Sequence, residues 1–457
     1  MQRITMELTF LGATGTVTGS KYLLASASMQ LLVDCGLFQG FKQLRLRNWS
    51  APPVNPAELN AVILTHAHLD HSGYLPLLVK RGFSGKIYCT TGTRDLCGIL
   101  LPDSGHLQEE DAAHANRHRF SKHAPALPLY TEQDAVRSLR NFFPVELERD
   151  IDLGDGVTLR LSPAGHILGS SLVSVTHGGT SILFSGDLGR PVDLIMKPPA
   201  TVRRTDYLVV ESTYGNRRHD PTDPETALAS VITRTIGRGG MVVIPSFAVG
   251  RTQSILYAIH RLKAAGTLPG DLPVFLDSPM AVEATDIYAR HAGEHRLNVA
   301  DCRAMCRAAR FVNSVAESKE LDGMEGPMVL VSASGMATGG RVLHHLKVFA
   351  PDPRNTILFV GFQAGGTRGE AMVNGATSVK IHGAYVPVRA EVVALECLSA
   401  HADFAEILDW LAKFEAPPRE TFVTHGEPAA ADALRRRIEE HLHWRCRVPD
   451  YLEQVAL

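Results

Sequence analysis

Short apolar runs alternate with polar and amphipathic stretches along the whole chain, and this pattern predicts an α/β protein. In the first part, apolar runs of strand length lie at residues 22–24, 30–33, 61–64, 86–89, 157–162 and 181–185. A second series lies at residues 207–210, 241–244, 273–276, 328–331 and 357–360, with helical stretches at 252–264 and 341–349. Strands buried on both faces of a parallel sheet are continuously apolar in this way. We therefore expect two α/β blocks, the second with a parallel sheet.

The pattern after residue 398 returns to the style of the first block. An amphipathic helix is predicted over 404–414, a strand over 421–424, a charged helix over 429–442 and a closing strand over 448–455.

Side chains that bind metals follow several of these strands. Residues 65–73 contain four of them directly after an apolar run: His66, His68, Asp70 and His71. Histidine nitrogen suits zinc and aspartate adds a hard, charged oxygen, so the mixed set indicates a catalytic metal site. The alternative is a solvated histidine-rich turn or core histidines bonded to the backbone. That alternative suits any one of these histidines alone better than it suits all four at this spacing.

Other strand ends extend this set. His166 and Asp187 each follow an apolar strand and a glycine, and His425 follows the strand at 421–424, so they are a fifth, sixth and seventh candidate ligand. Asp34 ends the run at 30–33, where it suits either ordinary turn chemistry or a carboxylate that orients a metal-bound histidine. Taken singly, each is a common strand-to-loop turn.

Small polar or glycine-rich loops follow three strands of the second block, at residues 246–251, 332–336 and 361–368. Ligands of open α/β sheets bind at the carboxyl ends of strands, where amides, hydroxyls and arginines form phosphate cradles. A simple tight turn explains each loop about equally well. The predicted substrate-binding residues in this block are Ser332, Ser334, Arg251, Arg341 and Arg368.

Composition narrows the choice of partner and compartment. The chain has 457 residues, enough for about two domains, and 46 basic against 48 acidic side chains give a net charge of −2. It therefore has no global attraction for nucleic acid, and a polyanion would be held by local charge. Seven cysteines form no C-x-x-C pair, residues 1–7 lack a signal-peptide core, and no apolar run approaches membrane-spanning length. We expect a cytoplasmic protein without membrane contact.

The motifs resemble the metallo-β-lactamase superfamily and, within it, the β-CASP branch of nucleases. The H-x-H-x-D-H signature is matched at residues 66–71, and the other superfamily motifs are matched by Asp34, His166 and Asp187. The motif A acid, motif B histidine and motif C histidine of the β-CASP branch are matched by Glu211, His401 and His425. The resemblance implies an αββα metallo-β-lactamase sandwich with an inserted β-CASP α/β domain. The predicted domain limits are 1–208, 209–395 and 396–457.

The resemblance also implies two Zn²⁺ ions per chain, with Mn²⁺ as the alternative metal. One ion would be held by His66, His68 and His166 and the other by Asp70, His71 and His425, with Asp187 as the bridge. Two such cations lower the pKa of a shared water, so that a bridging hydroxide attacks the phosphorus. The catalytic residues would then be Asp70, Asp187, Glu211 and His401, with His401 as the general acid that Glu211 orients.

Several functions are compatible with these residues. A histidine at motif C resembles the RNA-processing members, whereas DNA-repair members usually have valine, so His425 favours RNA. The leading hypothesis is a zinc-dependent ribonuclease that cuts single-stranded RNA, mainly as an endonuclease with some exonuclease action, with RNA held between the two domains. The alternatives are a small-molecule hydrolase acting on a thioester or lactam, and an RNA-binding scaffold without turnover. The sequence leaves the oligomeric state open, with a homodimer among the choices.

Overall fold

The computed structural model describes residues 6–119 and 121–457 and divides the chain into two compact units. The first unit combines the residues up to Arg218 with His401–Leu457, and the second spans His219–Ala400. Residues 1–5, on which part of the signal-peptide prediction rests, lie outside the described residues.

The first unit begins with the strands β1 (Glu7–Phe10), β2 (Tyr22–Ala25), β3 (Gln30–Val33), β4 (Ala61–Ile63), β5 (Lys86–Cys89) and β6 (Phe142–Pro144). The helices in this region are α1 (Lys42–Arg47), α2 (Leu69–Ser72), α3 (Leu75–Lys80), α4 (Thr91–His118) and α5 (Glu132–Ser138). Strands β1 to β3 are antiparallel, and β3 to β6 are parallel. All three residues of β4 are buried, as its continuous apolar run predicts.

A second sheet follows, with β7 (Asp150–Gly154), β8 (Val157–Pro163), β9 (Ser171–His177), β10 (Thr180–Phe184) and β11 (Tyr207–Glu211). Strands β7 to β10 are antiparallel, and β11 lies parallel to β10. The sequence pattern predicted β8, β10 and β11.

The second unit contains the strands β12 (Val242–Pro245), β13 (Val274–Asp277), β14 (Arg310–Phe311), β15 (Val329–Ser332), β16 (Thr356–Val360), β17 (Ser378–Ile381), β18 (Ala384–Pro387) and β19 (Glu391–Leu395). Its helices are α6 (Pro224–Gly237), α7 (Arg251–Ala264), α8 (Pro279–Arg290), α9 (Val299–Arg307), α10 (Val315–Leu321), α11 (Val342–Phe349) and α12 (Arg368–Val373). The main sheet has the order β14-β13-β15-β12-β16-β19, and its neighbouring strands are parallel. This arrangement agrees with the parallel sheet that the apolar runs predict.

The C-terminal section completes both sheets of the first unit. It contains α13 (Phe404–Leu411), β20 (Glu420–Thr424), α14 (Pro428–Leu442), β21 (Cys446–Arg447) and β22 (Gln454–Ala456). The sheet orders become β22-β1-β2-β3-β4-β5-β6 and β21-β20-β11-β10-β9-β8-β7. The single closing strand predicted over 448–455 is wrong, because a turn closed by the Glu453 amide and the Asp450 carbonyl separates two short strands.

Apolar side chains from the two sheets form one core layer, which includes Phe10, Ile63, Val173 and Phe422. A second apolar cluster joins the other face of the second sheet to α13 and α14, through residues such as Val210, Trp410 and Leu434. The first unit is therefore built in layers around two sheets, as predicted.

A buried ionic network lies at the carboxyl end of β13 in the second unit. The Asp277 carboxylate accepts hydrogen bonds from Arg341 Nη1 at 2.6 Å and His345 Nε2 at 2.7 Å, and the Ser318 hydroxyl donates to it at 2.5 Å. His345 Nδ1 donates to Asp322 at 2.7 Å. Burial alone would lower the pKa of His345, but its hydrogen bonds to two carboxylates outweigh burial and raise it. The ring therefore lies as an imidazolium between two carboxylates.

The charge on His345 makes the stability of this unit dependent on pH. Its folded pKa is raised, so the stabilisation is complete below the unfolded value of about 6.5 and is lost as the pH rises through the folded pKa. We expect His345→Gln to lower the free energy of unfolding by about 3 kcal/mol at pH 6 and by clearly less at pH 9. Urea unfolding at both pH values measures this, with the exposed neighbour His344→Gln as control. An equal loss at both pH values would contradict a charged His345.

Candidate metal centre and active site

Metal-binding side chains meet at the strand ends of both sheets in the first unit. Strand β4 leads into His66 and His68, and the short helix α2 carries Asp70 and His71. In the second sheet, β10, β11 and β20 are parallel neighbours, so their carboxyl ends lie together. Those ends, with the loop after β8, supply His166, Asp187, Glu211 and His425.

Three imidazoles and one carboxylate form the first cluster. His68 Nδ1 lies 3.1 Å from His66 Nε2 and 3.2 Å from His166 Nε2. Asp187 Oδ2 lies 3.4 Å from each of those Nε2 atoms. Zinc bonds of about 2.0–2.1 Å in a tetrahedron separate ligand atoms by about 3.3 Å. The four atoms therefore fit one tetrahedral ion.

The second cluster has the same spacing. His71 Nε2 lies 3.1 Å from both His425 Nε2 and Asp187 Oδ1. Asp70 Oδ2 lies 3.4 Å from His425 Nε2 and 3.8 Å from His71 Nε2. Two imidazoles and two carboxylates around one point provide the mixed nitrogen and oxygen set that suits a divalent cation.

Asp187 belongs to both clusters, with Oδ2 facing the first and Oδ1 the second. The residue is buried, and its Oδ1 accepts no hydrogen bond from the described residues. A buried carboxylate oxygen that lacks a donor is costly, and a cation beside it removes that cost. Both the spacing and this oxygen fit a metal-binding centre.

The protonation states also suit metal binding at the first cluster. Burial lowers the pKa of His66 to about 3 and that of His68 to about 4, and it holds the pKa of His166 well below the usual range. These imidazoles are therefore neutral at pH 7, as metal ligands must be. His71 differs, because Asp187 and Asp34 outweigh its burial and raise its pKa. A cation bound there would take over the charge that the imidazolium carries.

Asp34 orients two of the histidines. Its carboxylate accepts hydrogen bonds from the Thr65 amide at 2.8 Å, the Thr65 hydroxyl at 2.9 Å and His71 Nδ1 at 2.7 Å. Because the Thr65 hydroxyl donates to Asp34, it accepts from His66 Nδ1 at 3.1 Å. Both rings therefore hold Nδ1 away from the centre and turn Nε2 towards it, and a cation bound there would replace the Nε2 proton of His71. Asp34 therefore occupies the orienting position that the sequence suggested.

Two hydroxyl side chains in this arrangement were not predicted from the sequence. Besides Thr65, Thr213 lies with its Oγ1 3.2 Å from His425 Nδ1 and 3.4 Å from the His425 carbonyl. When the hydroxyl donates to the carbonyl, it accepts from Nδ1 and fixes the ring. Neither residue had a signal beyond its position next to a strand end.

The segment after Asp34 packs tightly against α2. The Cys35 amide donates to the His71 carbonyl at 2.7 Å, and the Leu37 amide donates to the Leu69 carbonyl at 2.8 Å. A Cβ on Gly36 would lie 1.6 Å from the Asp70 carbonyl oxygen. Only glycine permits this approach, so Gly36 sets the position of the helix that carries Asp70.

Glu211 and His401 lie next to Asp187. Both oxygens of Glu211 contact His401 Nδ1, at 3.1 and 3.2 Å, and its Oε1 also accepts the Leu188 amide at 2.6 Å. His401 Nε2 lies 3.9 Å from Asp187 Oδ2. Burial opposes protonation of His401, but Glu211 and Asp187 outweigh it and raise its pKa. The structure thus brings together all the predicted ligands and both predicted acid–base residues.

The predicted substrate-binding residues of the second unit contact their own unit. Ser332 is buried and donates to the Asp277 carbonyl, and Arg341 binds Asp277. Arg368 donates to the carbonyls of Lys380, Ala337 and Thr338. Arg251 is largely buried. The Ser334 hydroxyl lies 3.1 Å from the Thr338 hydroxyl. Their role in substrate binding stays a prediction.

Comparison with known proteins defines the class of protein. Sequence models match the metallo-beta-lactamase superfamily over residues 19–232, the Beta-Casp domain over 252–372, and a Zn-dependent metallo-hydrolase RNA specificity domain over 385–449. The chain is a metal-dependent hydrolase. It belongs to the β-CASP family of RNA-processing nucleases in the metallo-β-lactamase superfamily, which confirms the resemblance and the predicted fold.

Individual relatives match along most of their length. The chain is 36% identical to Ribonuclease TTHA0252 of Thermus thermophilus over 95% of the chain and 96% of that protein. It is 32% identical to the transcription termination factor FttA of Methanosarcina mazei, over 99% of the chain and 72% of that protein. A crystal structure of a protein of unknown function from Enterococcus faecalis shares the fold, with a TM-score of 0.57 and 14% identity over 99% of the chain and all of that protein. In the described part of the chain, no helix is both long and apolar enough to cross a membrane.

Asp34→Asn should weaken metal binding about 10- to 100-fold, because the amide loses the charge that orients His71 and Thr65. The backbone of Asp34 has a φ of 60°, which asparagine tolerates. Competition with a chromophoric chelator measures the affinity. Asp155→Asn is a matched control, since Asp155 has a φ of 50° in an exposed turn. Equal affinities in both variants would show that Asp34 does not support the centre.

Proposed function

We propose that the protein is a zinc-dependent ribonuclease that uses two metal ions to hydrolyse phosphodiester bonds of single-stranded RNA, mainly within the strand and secondarily from an end. The observation that carries the proposal is the position of Asp187, with one oxygen in each of two clusters of ligand atoms. That geometry suits a pair of ions better than a single one, and two ions about 3.5–4 Å apart are the arrangement with which nucleases and phosphatases clamp the attacking and leaving oxygens of a phosphate.

The ligand sets divide as the geometry groups them. His66, His68 and His166 would hold one ion, Asp70, His71 and His425 the other, and Asp187 both. When bound, the two ions would activate water and neutralise charge on the phosphate. Zinc suits the five histidines, and manganese is the alternative that the two carboxylates allow.

The acid–base step falls to His401. Glu211 occupies its Nδ1 side and is itself held by the amides of Leu188 and Thr213, so the ring is fixed in orientation. The Nε2 atom then points to the Asp187 side, 3.9 Å from Oδ2. A proton on Nε2 is placed to reach the ribose oxygen that leaves when the phosphodiester bond breaks.

RNA as the substrate is supported by the similar proteins. The match to the RNA specificity domain covers residues 385–449, which include His401 and His425. One relative is named a ribonuclease and another a transcription termination factor. A nuclease that acts on RNA agrees with the name of the first relative and accounts for the acid–base pair beside the metal centre.

Cleavage and metal content together test the proposal. Zinc-loaded protein should cut end-labelled single-stranded RNA into internal fragments, and cut DNA of the same sequence poorly. His401→Ala should lower kcat about 10²- to 10⁴-fold while two zinc ions per chain are retained, since it removes only proton transfer. His68→Ala should lose both cleavage and part of the zinc. His106→Ala, on the exposed face of α4, is the control.

Three outcomes would contradict the proposal. Full cleavage by His68→Ala would exclude the two-metal arrangement. Loss of zinc in His401→Ala would make that residue a ligand and not the acid. Hydrolysis of a thioester without hydrolysis of RNA would identify a small-molecule hydrolase.

A further inference from the structure

An exposed segment of the first unit carries large apolar side chains that are not needed to form its core. This segment, Phe41–Trp49, contains α1 and is here called the basic aromatic segment. Phe41 is 51% exposed, Leu46 54% and Trp49 54%, and α1 buries none of its residues. Large apolar side chains that are exposed together indicate an interaction surface.

All charged side chains of the segment are basic. Lys42, Arg45 and Arg47 are its charged residues, and the sequence has no acid between Asp34 and Glu58. Among the described residues, no carboxylate forms an ion pair with any of these three cations. The guanidinium of Arg81 lies beside the segment, with Nη1 2.9 Å from the Ser50 carbonyl. In a chain of net charge −2, this is a local positive surface.

The segment is held in place by contacts at its base. The Asn48 side chain is buried, accepts from the Phe38 amide at 2.9 Å and donates to the Phe38 carbonyl at 2.8 Å. The Arg47 guanidinium lies 4.0 Å from the ring centre of Tyr451 and 5.3 Å from that of Phe38. The ammonium of Lys21 contacts the Phe38 ring at 4.7 Å and donates to the Gly36 carbonyl. A surface fixed before binding loses little entropy when a ligand binds.

The residues that precede the segment contact the metal-binding loop. The Leu37 amide donates to the Leu69 carbonyl, and Gly36 packs so closely on α2 that a Cβ there would overlap the Asp70 carbonyl, so the chain passes beside Asp70 shortly before it reaches Phe41. Phe41 follows Leu37 closely along the chain, which limits the distance between them to about 14 Å. A strand whose phosphate lies at the metal centre would need only a few nucleotides to span such a distance.

We propose that the basic aromatic segment binds single-stranded RNA next to the site of cleavage. Bases stack on Phe41 and Trp49, and Lys42 and Arg45 contact phosphates. Aromatic rings combined with cations form the usual platform for single strands. The unpaired positive charge favours a polyanion over a second copy of the same surface, which it would repel. This inference rests on the proposed ribonuclease function, of which it describes one substrate contact.

Tryptophan fluorescence reports binding at this surface directly. Of the three tryptophans, Trp410 and Trp444 are buried in the first unit and Trp49 is exposed. The His401→Ala protein, loaded with zinc, should not cut RNA during the measurement. Titration with an oligouridylate of about 12 nucleotides, within the usual range for such surfaces, should quench most of the exposed-tryptophan emission. In Trp49→Phe the quenching should disappear while affinity is largely kept, because the phenyl ring still stacks.

Affinity measured by fluorescence anisotropy separates stacking from charge. Phe41→Ala and Trp49→Ala should each weaken binding about fivefold or more, as loss of one stacked base does. Lys42→Ala/Arg45→Ala should lower the slope of log K against log salt by about 1.4, or 0.7 for each phosphate that is no longer neutralised. Lys86→Ala/Phe143→Ala is the matched control, because it removes a cation and a ring at the edge of the first sheet.

The outcomes distinguish this inference from the proposed function. If the unsubstituted protein cuts RNA and the segment variants bind and cut it equally well, the inference is wrong and the function stands. If the unsubstituted protein does not cut RNA but the segment variants still lose binding, the proposed reaction fails and the binding surface stands. Unchanged RNA affinity with a lower mass in sedimentation of Phe41→Ala/Trp49→Ala would make the surface a protein interface and overturn the inference. Because Phe41 and Trp49 are more than half exposed and α1 buries none of its residues, these variants should keep the melting temperature, which serves as the check on folding.

Discussion

The first unit depends on a carboxylate that is buried where two sheets end. Asp187 is buried and offers one oxygen to each of two groups of imidazoles. Its negative charge must be compensated inside the protein, because an isolated buried carboxylate is strongly unfavourable. The parallel ends of β10, β11 and β20 and the loop after β4 all converge on this residue. The two sheets therefore hold in place the side chains that compensate the charge of Asp187.

The parts of the fold that could be predicted are those where burial produces a continuous run of apolar residues in the sequence. Strand β5 was predicted with its observed limits, and β11 to within one residue, because buried strands are continuously apolar. Strand β9 was not predicted, since its serines, threonine and histidine interrupt the apolar run. The pairing of β22 with β1 joins the two ends of the chain. Such pairing depends on the whole topology, which no local pattern encodes.

At the candidate metal centre, too, local features could be predicted and long-range contacts could not. The candidate ligands are of residue types and at strand-end positions that the sequence shows locally, so the residue pattern and the resemblance together predicted them. The contact between Thr213 and His425 joins residues 212 positions apart and could not be read from either. In the second unit, a residue that the sequence singled out has a partner that the sequence did not indicate. The sequence marked Arg341 as a cation for substrate, whereas the fold places it on buried Asp277, a partner that only the structure reveals.

This difference in partners bears on where RNA is held. An arginine bound to a buried carboxylate loses a charge-assisted hydrogen bond inside the protein when it turns to a phosphate, which costs free energy. Arg341 is in that position, and its neighbour His345 adds a second contact to the same Asp277. Lys42 and Arg45 incur no such cost, since they are exposed and no described carboxylate pairs with them. In a chain with almost no net charge, cations without internal partners set the affinity for a polyanion. Under the proposed binding at the basic aromatic segment, substrate selection begins in the unit that carries the candidate metal centre.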